Sequence, residues 1–104
     1  MNSRDKGARG ERELANLLKE YGFDSHRGAQ YKGSPDSPDV TGIEGVHIEC
    51  KRVERLDLYK ALRQSSSDAA EDELPVVIHR KNREGWLVTM TLDSFIKLLK
   101  GEEK

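Results

Sequence analysis

Pro38-Asp39-Val40-Thr41-Gly42-Ile43-Glu44-Gly45-Val46-His47-Ile48-Glu49-Cys50-Lys51-Arg52 reads as a β-hairpin, and the rest of the chain arranges itself around it. Ile43-Glu44-Gly45 forms a three-residue loop. Such loops favour a type I turn followed by a residue in the left-handed region, which Gly45 can adopt without steric cost. The register that follows pairs Gly42 with Val46, Thr41 with His47 and Asp39 with Glu49. Side chains alternate along a strand, so Val46, Ile48 and Cys50 share one face, and His47, Glu49 and Lys51 the other. His47 is expected to be an exposed strand residue, and Cys50 to point into the core.

Asp39 and Glu49 then face each other with Cβ atoms roughly 5 Å apart. Two carboxylates that close repel, and one of them is pushed up in pKa unless a cation intervenes. A few hard oxygen ligands with retained waters is how Mg²⁺ is usually held. Lys51, on the same face, can orient or deprotonate a water and stabilise charge building on a phosphate. Alternating charges on a strand are by themselves commonly a solvated face. The combination with an opposed Asp39 on an otherwise apolar strand points to phosphodiester hydrolysis. Asp36, upstream of Pro38, reads as a loop residue, because proline removes a ladder donor and restricts its predecessor.

Outward from the hairpin, residues 5–21 predict a helix with Leu14, Leu17, Leu18 and Tyr21 on one stripe, stopped at Gly22. Glu11 lies about 60° around the wheel from Leu14, at the rim of that stripe, while Glu13 is nearer solvent. A carboxylate at a core's edge needs a partner. The metal-centred cluster offers one, and an ion pair with Arg12 or Lys19 is the alternative. Residues 23–27 predict a short strand and 28–38 an exposed loop, long enough to be functional. Past the hairpin come a helix from Leu56 to Ala70 with Leu58, Leu62 and Ala69 inward, then strands at 75–80 and 86–90 around a turn at 82–85. A last helix is capped by Thr91 and has Phe95, Ile96, Leu98 and Leu99 on its buried side. The order α-β-β-β-α-β-β-α defines one α/β domain over residues 1–104, a mixed sheet flanked by helices.

The 104 residues are 35% hydrophobic and 36% charged, with a net charge of −1 and a lone Cys50. This composition suits a folded domain without disulfides, in keeping with a reducing cytoplasm. No apolar run approaches a membrane span, and no signal-peptide core stands at the N-terminus. Near-neutrality conceals segregation: basic residues gather at 4–12, 51–63 and 79–83, and acid at 68–73. Such a pattern permits a phosphate-facing surface.

Gly7-Ala8-Arg9-Gly10-Glu11-Arg12-Glu13-Leu14, the helix end Tyr21-Gly22-Phe23, Pro38-Asp39-Val40 and Ile48-Glu49-Cys50-Lys51 together resemble the PD-(D/E)xK nuclease superfamily. Within it, they are most similar to the archaeal and phage type of Holliday junction resolvase. The resemblance covers the first half of the chain in motif detail and the rest in order of elements. It implies a restriction-endonuclease-like core and catalytic roles for Glu11, Asp39, Glu49 and Lys51. It also implies Mg²⁺, with Mn²⁺ able to substitute, held by Glu11, Asp39, Glu49 and the Cys50 backbone carbonyl. Gln64 corresponds to a polar residue that many members carry on the helix after the lysine strand, and a homodimer would present two sites to branched DNA. The chain is shorter than typical members, its Pro-Asp loop is enlarged and doubled, and it is not basic. Its size suits a phage- or prophage-encoded enzyme.

Positive charge around the carboxylates nominates Arg4, Lys6, Arg9, Arg27, Lys32, Arg52, Arg55, Lys60 and Arg63 as phosphate contacts, with Tyr31 able to stack on an exposed base. His26 and His47 are possible metal neighbours, although His47 reads first as an exposed strand residue; His79 has no ligand-like spacing, and Trp86 is assigned to the core or a dimer interface. Three readings compete: a junction-resolving endonuclease, another nuclease of the same chemistry (nicking, flap or restriction-like), and a DNA-binding protein that keeps the fold without catalysis. The intact acidic set disfavours the last.

Overall fold

Helical periodicity, a glycine stop and two capping side chains divide the described chain into six elements. A computed structural model describes residues 3–28 and 38–101, with side chains from residue 7 onward in those spans. The elements are α1 (Ser3–Glu20), β1 (Val46–Arg52), α2 (Leu58–Asp68), β2 (Leu74–Arg80), β3 (Leu87–Thr89) and α3 (Leu92–Lys100). The sheet order is β1-β2-β3, with β1 and β2 parallel and β2 and β3 antiparallel. The α/β mixed sheet with flanking helices is therefore as expected.

The element ends follow local chemistry. Gly22 (φ 102°) ends α1, with the Phe23 N–H returning to the Leu18 carbonyl at 3.1 Å. Asp57 caps α2 by accepting from the Lys60 N–H, so that helix begins two residues later than the periodicity suggests. Thr91 caps α3, accepting from the Ser94 N–H, and Gly101 closes it in the left-handed region. Gly45 (φ 83°) sits in the turn where the hairpin reading requires it.

Two expected strands are reduced to single bridges. Val40 bridges Arg27 on one side and Ile48 on the other, both antiparallel. The Val40–Ile48 bridge preserves the predicted register, in which Asp39 opposes Glu49. The segments stay short because Pro38 lacks an N–H and Gly42 (φ 111°) turns the chain away after Thr41. A Cβ on Gly42 would lie 2.6 Å from the Ser25 Cα, so the two segments touch backbone to backbone there.

The core lies on the α1 side of the sheet: Leu14, Ala15, Val40, Ile48, Cys50, Val76 and Ile78, with Leu18, Ile43, Val46, Trp86 and Met90 packed against it. Trp86 thus belongs to the core edge, where Arg80 stacks over its ring at 5.7 Å. Full burial of a side chain such as Leu14 stabilises by roughly 1.5–3 kcal/mol. Gly10 lets α1 approach closely, since a Cβ there would meet the Arg52 Cβ at 2.8 Å.

α2 covers the other face through its small residues. Ala61 and Ser65 are its buried members, and the Ser65 hydroxyl is 3.1 Å from both the His47 and Val76 carbonyls. Leu58, Leu62 and Ala69 are only half-buried. Three expectations change here. His47 is buried (1% exposed), because α2 roofs its face of β1. Tyr21 is exposed, lying beyond the last packed turn of α1. The apolar side of α3 is also exposed, with Phe95, Ile96, Leu98 and Leu99 at 39–66%, and only Ser94 is buried.

Candidate active site

Asp39 enters the site from the chain just outside β1. One of its oxygens, Oδ2, accepts the Cys50 N–H at 2.8 Å, which fixes the carboxylate against the strand. Asp39 is 8% exposed, as is Glu49 on the facing strand. Burial, then the charge of Asp39, raises the Glu49 carboxyl from 4.5 to about 7, against the lowering influence of Lys51. The Lys51 ammonium lies 3.5 Å from Glu49 Oε2. These three side chains share one patch, as strand alternation and the hairpin register require.

Glu11 joins them from α1. It is half-buried, and its Oε1 accepts from Arg27 Nε at 3.0 Å. Its pKa is raised mainly by desolvation, with Asp39 adding to the rise and Arg27 and Lys51 opposing it. The partner at the core's rim is therefore Arg27, not Arg12 or Lys19, and the electrostatic neighbourhood is the acidic cluster. The Cys50 thiol is buried and pushed upward by desolvation and by the surrounding carboxylates, so it stays protonated and inert as a soft ligand.

Glu11, Asp39 and Glu49 are hard oxygen donors of the kind a divalent cation takes, but their oxygens do not all lie within ligand-sharing distance of one another. The three carboxylates come from separate segments, Asp39 acts electrostatically on the other two, and those two have raised pKa. That is costly for a metal-free protein and is relieved by a divalent ion.

Other nominated residues are more dispersed. Gln64 donates to Asp68 Oδ2 at 2.8 Å, and Asp68 in turn adds to the raised pKa of Glu49. Arg52 pairs with Glu13 at 3.0 Å and Arg80 with the same carboxylate at 2.9 Å, so Glu13, nearer solvent than Glu11 as expected, is engaged by two guanidinium groups. Arg9, Arg55, Lys60 and Arg63 lie exposed. The side chains of Arg4 and Lys6, and all of Tyr31, Lys32 and Asp36, fall outside the described residues. His26 pairs with Asp24 on the surface at 3.0 Å, and His79 meets the Thr89 hydroxyl at 2.9 Å.

Among the described residues, the group whose ligand atoms lie close together is a different one, and sequence reasoning, which names His47 as a possible metal neighbour, does not assemble it. An imidazole nitrogen of His47 and one carboxylate oxygen each from Glu49 and Asp68 lie within 4.8 Å of one another. Strand alternation already placed His47 beside Glu49, but nothing local to β1 indicates that Asp68, at the end of α2, comes to meet them.

Comparison with known proteins agrees with this architecture. The family model of the archaeal Holliday junction resolvases (Hjc) matches residues 2–60, more than half of the chain, including Glu11, Asp39, Glu49 and Lys51. Among solved structures, the chain is similar to Hjc from Archaeoglobus fulgidus, a Holliday junction resolvase from an archaeal hyperthermophile. The TM-score is 0.63 and the identity 27%, over 82% of this chain and 72% of that one. No curated protein matches.

Proposed function

We infer, because this chain belongs to the archaeal Holliday junction resolvase family, that it is a nuclease that resolves four-way DNA junctions. The observation that supports the reading is that Asp39 and Lys51 act electrostatically on both Glu11 and Glu49, with Lys51 3.5 Å from Glu49. Recombination and repair are the processes such a junction-cutting enzyme serves, inside the cell where its DNA is. No helix is long and apolar enough to cross a membrane among the described residues.

In this proposal Glu11, Asp39, Glu49 and the Cys50 carbonyl hold Mg²⁺, for which Mn²⁺ can substitute. When bound, the ion supplies positive charge against the scissile phosphate and acidifies water. Asp39, whose Oδ2 accepts the Cys50 N–H, would be held against the strand as a ligand. Glu49 would hold the ion as the carboxylate, giving up the proton that its burial favours. Lys51 neutralises charge on the phosphate and orients the attacking water from the Glu49 side. Gln64 acts through Asp68, whose carboxylate it holds. Arg9, Arg27, Arg52, Arg55, Lys60 and Arg63 contribute phosphate contacts, together with Arg4, Lys6, Lys32 and Tyr31. Arg27 and Arg52 would exchange an intramolecular carboxylate for a phosphate in doing so.

A homodimer completes the reading. The exposed apolar side of α3, with Leu87 and Val88 on the edge strand β3, forms a surface that a second copy can cover. The test is a cleavage assay on synthetic four-way junction, flap, single-stranded and linear duplex DNA, with Mg²⁺ and with EDTA. Paired symmetric nicks in the junction, with duplex spared and EDTA abolishing activity, are expected. Equal cutting of duplex would select a nuclease of the same chemistry with a different substrate.

A further inference from the structure

On the α2-covered face of β1, Glu49 also belongs to a donor set unlike the hard-oxygen residues. His47 is buried, and its Nδ1 lies 3.4 Å from Glu73 Oε1. Its Nε2 is also buried and has no hydrogen-bond partner among the described residues. A buried, unpaired imidazole nitrogen is costly, and the usual remedies are a water, a hydrogen bond or a metal. Glu49 and Asp68 bring carboxylate oxygens into the same 4.8 Å grouping. Asp68 Oδ2 is held by Gln64, which leaves its second oxygen to ligate.

We propose that His47, Glu49 and Asp68 form a second metal site, selective for a borderline transition ion such as Zn²⁺ over Mg²⁺. Imidazole nitrogen suits Zn²⁺ and its neighbours, whereas Mg²⁺ seeks oxygen and retains its waters. Glu73, 3.4 Å from Nδ1, stands on the side of the ring where metal-binding histidines commonly have an orienting carboxylate. With Nδ1 so engaged, Nε2 is the ligand. Three protein donors suit a four-coordinate ion with one open position, at Zn–N and Zn–O distances of about 2.0–2.2 Å. Small side-chain rotations would draw the present grouping to that range. Glu49 belongs to both sites, so occupancy of one is felt at the other. The proposal does not depend on what the chain does to DNA.

The test is DNA-free titration of the full chain by calorimetry, with Zn²⁺ and with Mg²⁺ as separate probes, and with Zn²⁺ again under saturating Mg²⁺. One equivalent of Zn²⁺ is expected to bind, with the His47 Nε2 resonance shifting on addition. Asp68→Asn weakens Zn²⁺ at least about tenfold and leaves Mg²⁺ unchanged, Asp39→Asn does the reverse, and Glu49→Gln weakens both. His26→Gln controls for the surface His26–Asp24 pair and leaves the Zn²⁺ stoichiometry as it was. Should His47→Gln fail to fold, Asp68→Asn alone decides, since Asp68 is only half-buried. Zn²⁺ binding that is absent, or equally tight in Asp68→Asn and wild type, overturns the site. A loss of Zn²⁺ in Asp39→Asn alone would place the ion in the acidic cluster and also overturn it. Absence of junction cleavage with intact Zn²⁺ binding would count against the nuclease reading only.

Discussion

α1 and α3 are both amphipathic, and the protein treats them in opposite ways. α1 lays Leu14 and Ala15 into the core and carries Glu11 to the carboxylate cluster. α3 buries only Ser94 and leaves Leu92, Phe95, Ile96, Leu98 and Leu99 exposed. An apolar stripe therefore says that a helix wants a covering surface, without saying that the surface belongs to the same chain. One end of the molecule is finished and chemical. The other is unfinished and, on the proposed reading, reserved for assembly.

The sharpest way to break this contrast is to disable one end and watch the other. Asp39→Asn or Glu49→Gln is expected to reduce junction cleavage by ~10²–10³-fold or more, the scale set by losing one electrostatic stabiliser of a transition state. Sedimentation should report an unchanged molecular mass. A variant that lost both cleavage and dimer would show that the two ends are not separable. Next in size is stability. Leu14→Ala should cost about 2–5 kcal/mol in urea unfolding. Leu99→Ala, at a position 66% exposed, should cost under about 0.5 kcal/mol at concentrations where the chain is monomeric. Similar costs for the two would mean that α3 is packed within the chain after all.

The acidic end also predicts a pH dependence that the apolar end does not share. Glu49 is raised from 4.5 in the unfolded chain to about 7 in the fold, so the folded state binds the extra proton between those values. Without metal, stability contributed by this group is present below pH 4.5 and is lost as pH rises through about 7, by up to ~3 kcal/mol. Glu11 acts in the same sense, and His79, lowered by burial, opposes it below its ordinary value of 6.5. Adding Mg²⁺ at pH 8 should restore the melting temperature, and Glu49→Gln should flatten the profile. The smallest expected effect is on assembly at fixed chemistry. Leu98→Asp with Leu99→Asp should yield monomers that nick one strand of a junction but lose pairing of the two cuts.

Much of the acidic end was legible because its rules are local. Gly45 and the period of two fix the hairpin register, and the period of 3.6 places Glu11 at the rim of the Leu14 stripe. What escaped reading depends on partners remote in sequence. His47 looks like an exposed strand residue until α2 is laid over it, and α2 can approach only because Ala61 and Ser65 are small. Asp68 reads as one of a run of surface acids, yet it neighbours Glu49 across the crossover. The exposure of α3 was illegible for the opposite reason, since the pattern is right and no described part of the chain covers it.

The bond from the Gly28 N–H to the Asp39 carbonyl, at 2.8 Å, closes the chain on itself just outside residues 29–37. Val40 is then tied on both flanks, by the Thr41 N–H to His26 and by the Asp39 N–H to Ile48. Gly28 and Asp39 are thus stapled together. Three main-chain bonds, none dependent on a side chain, hold the aspartate at its address, so substitutions nearby can change its surroundings without moving its backbone.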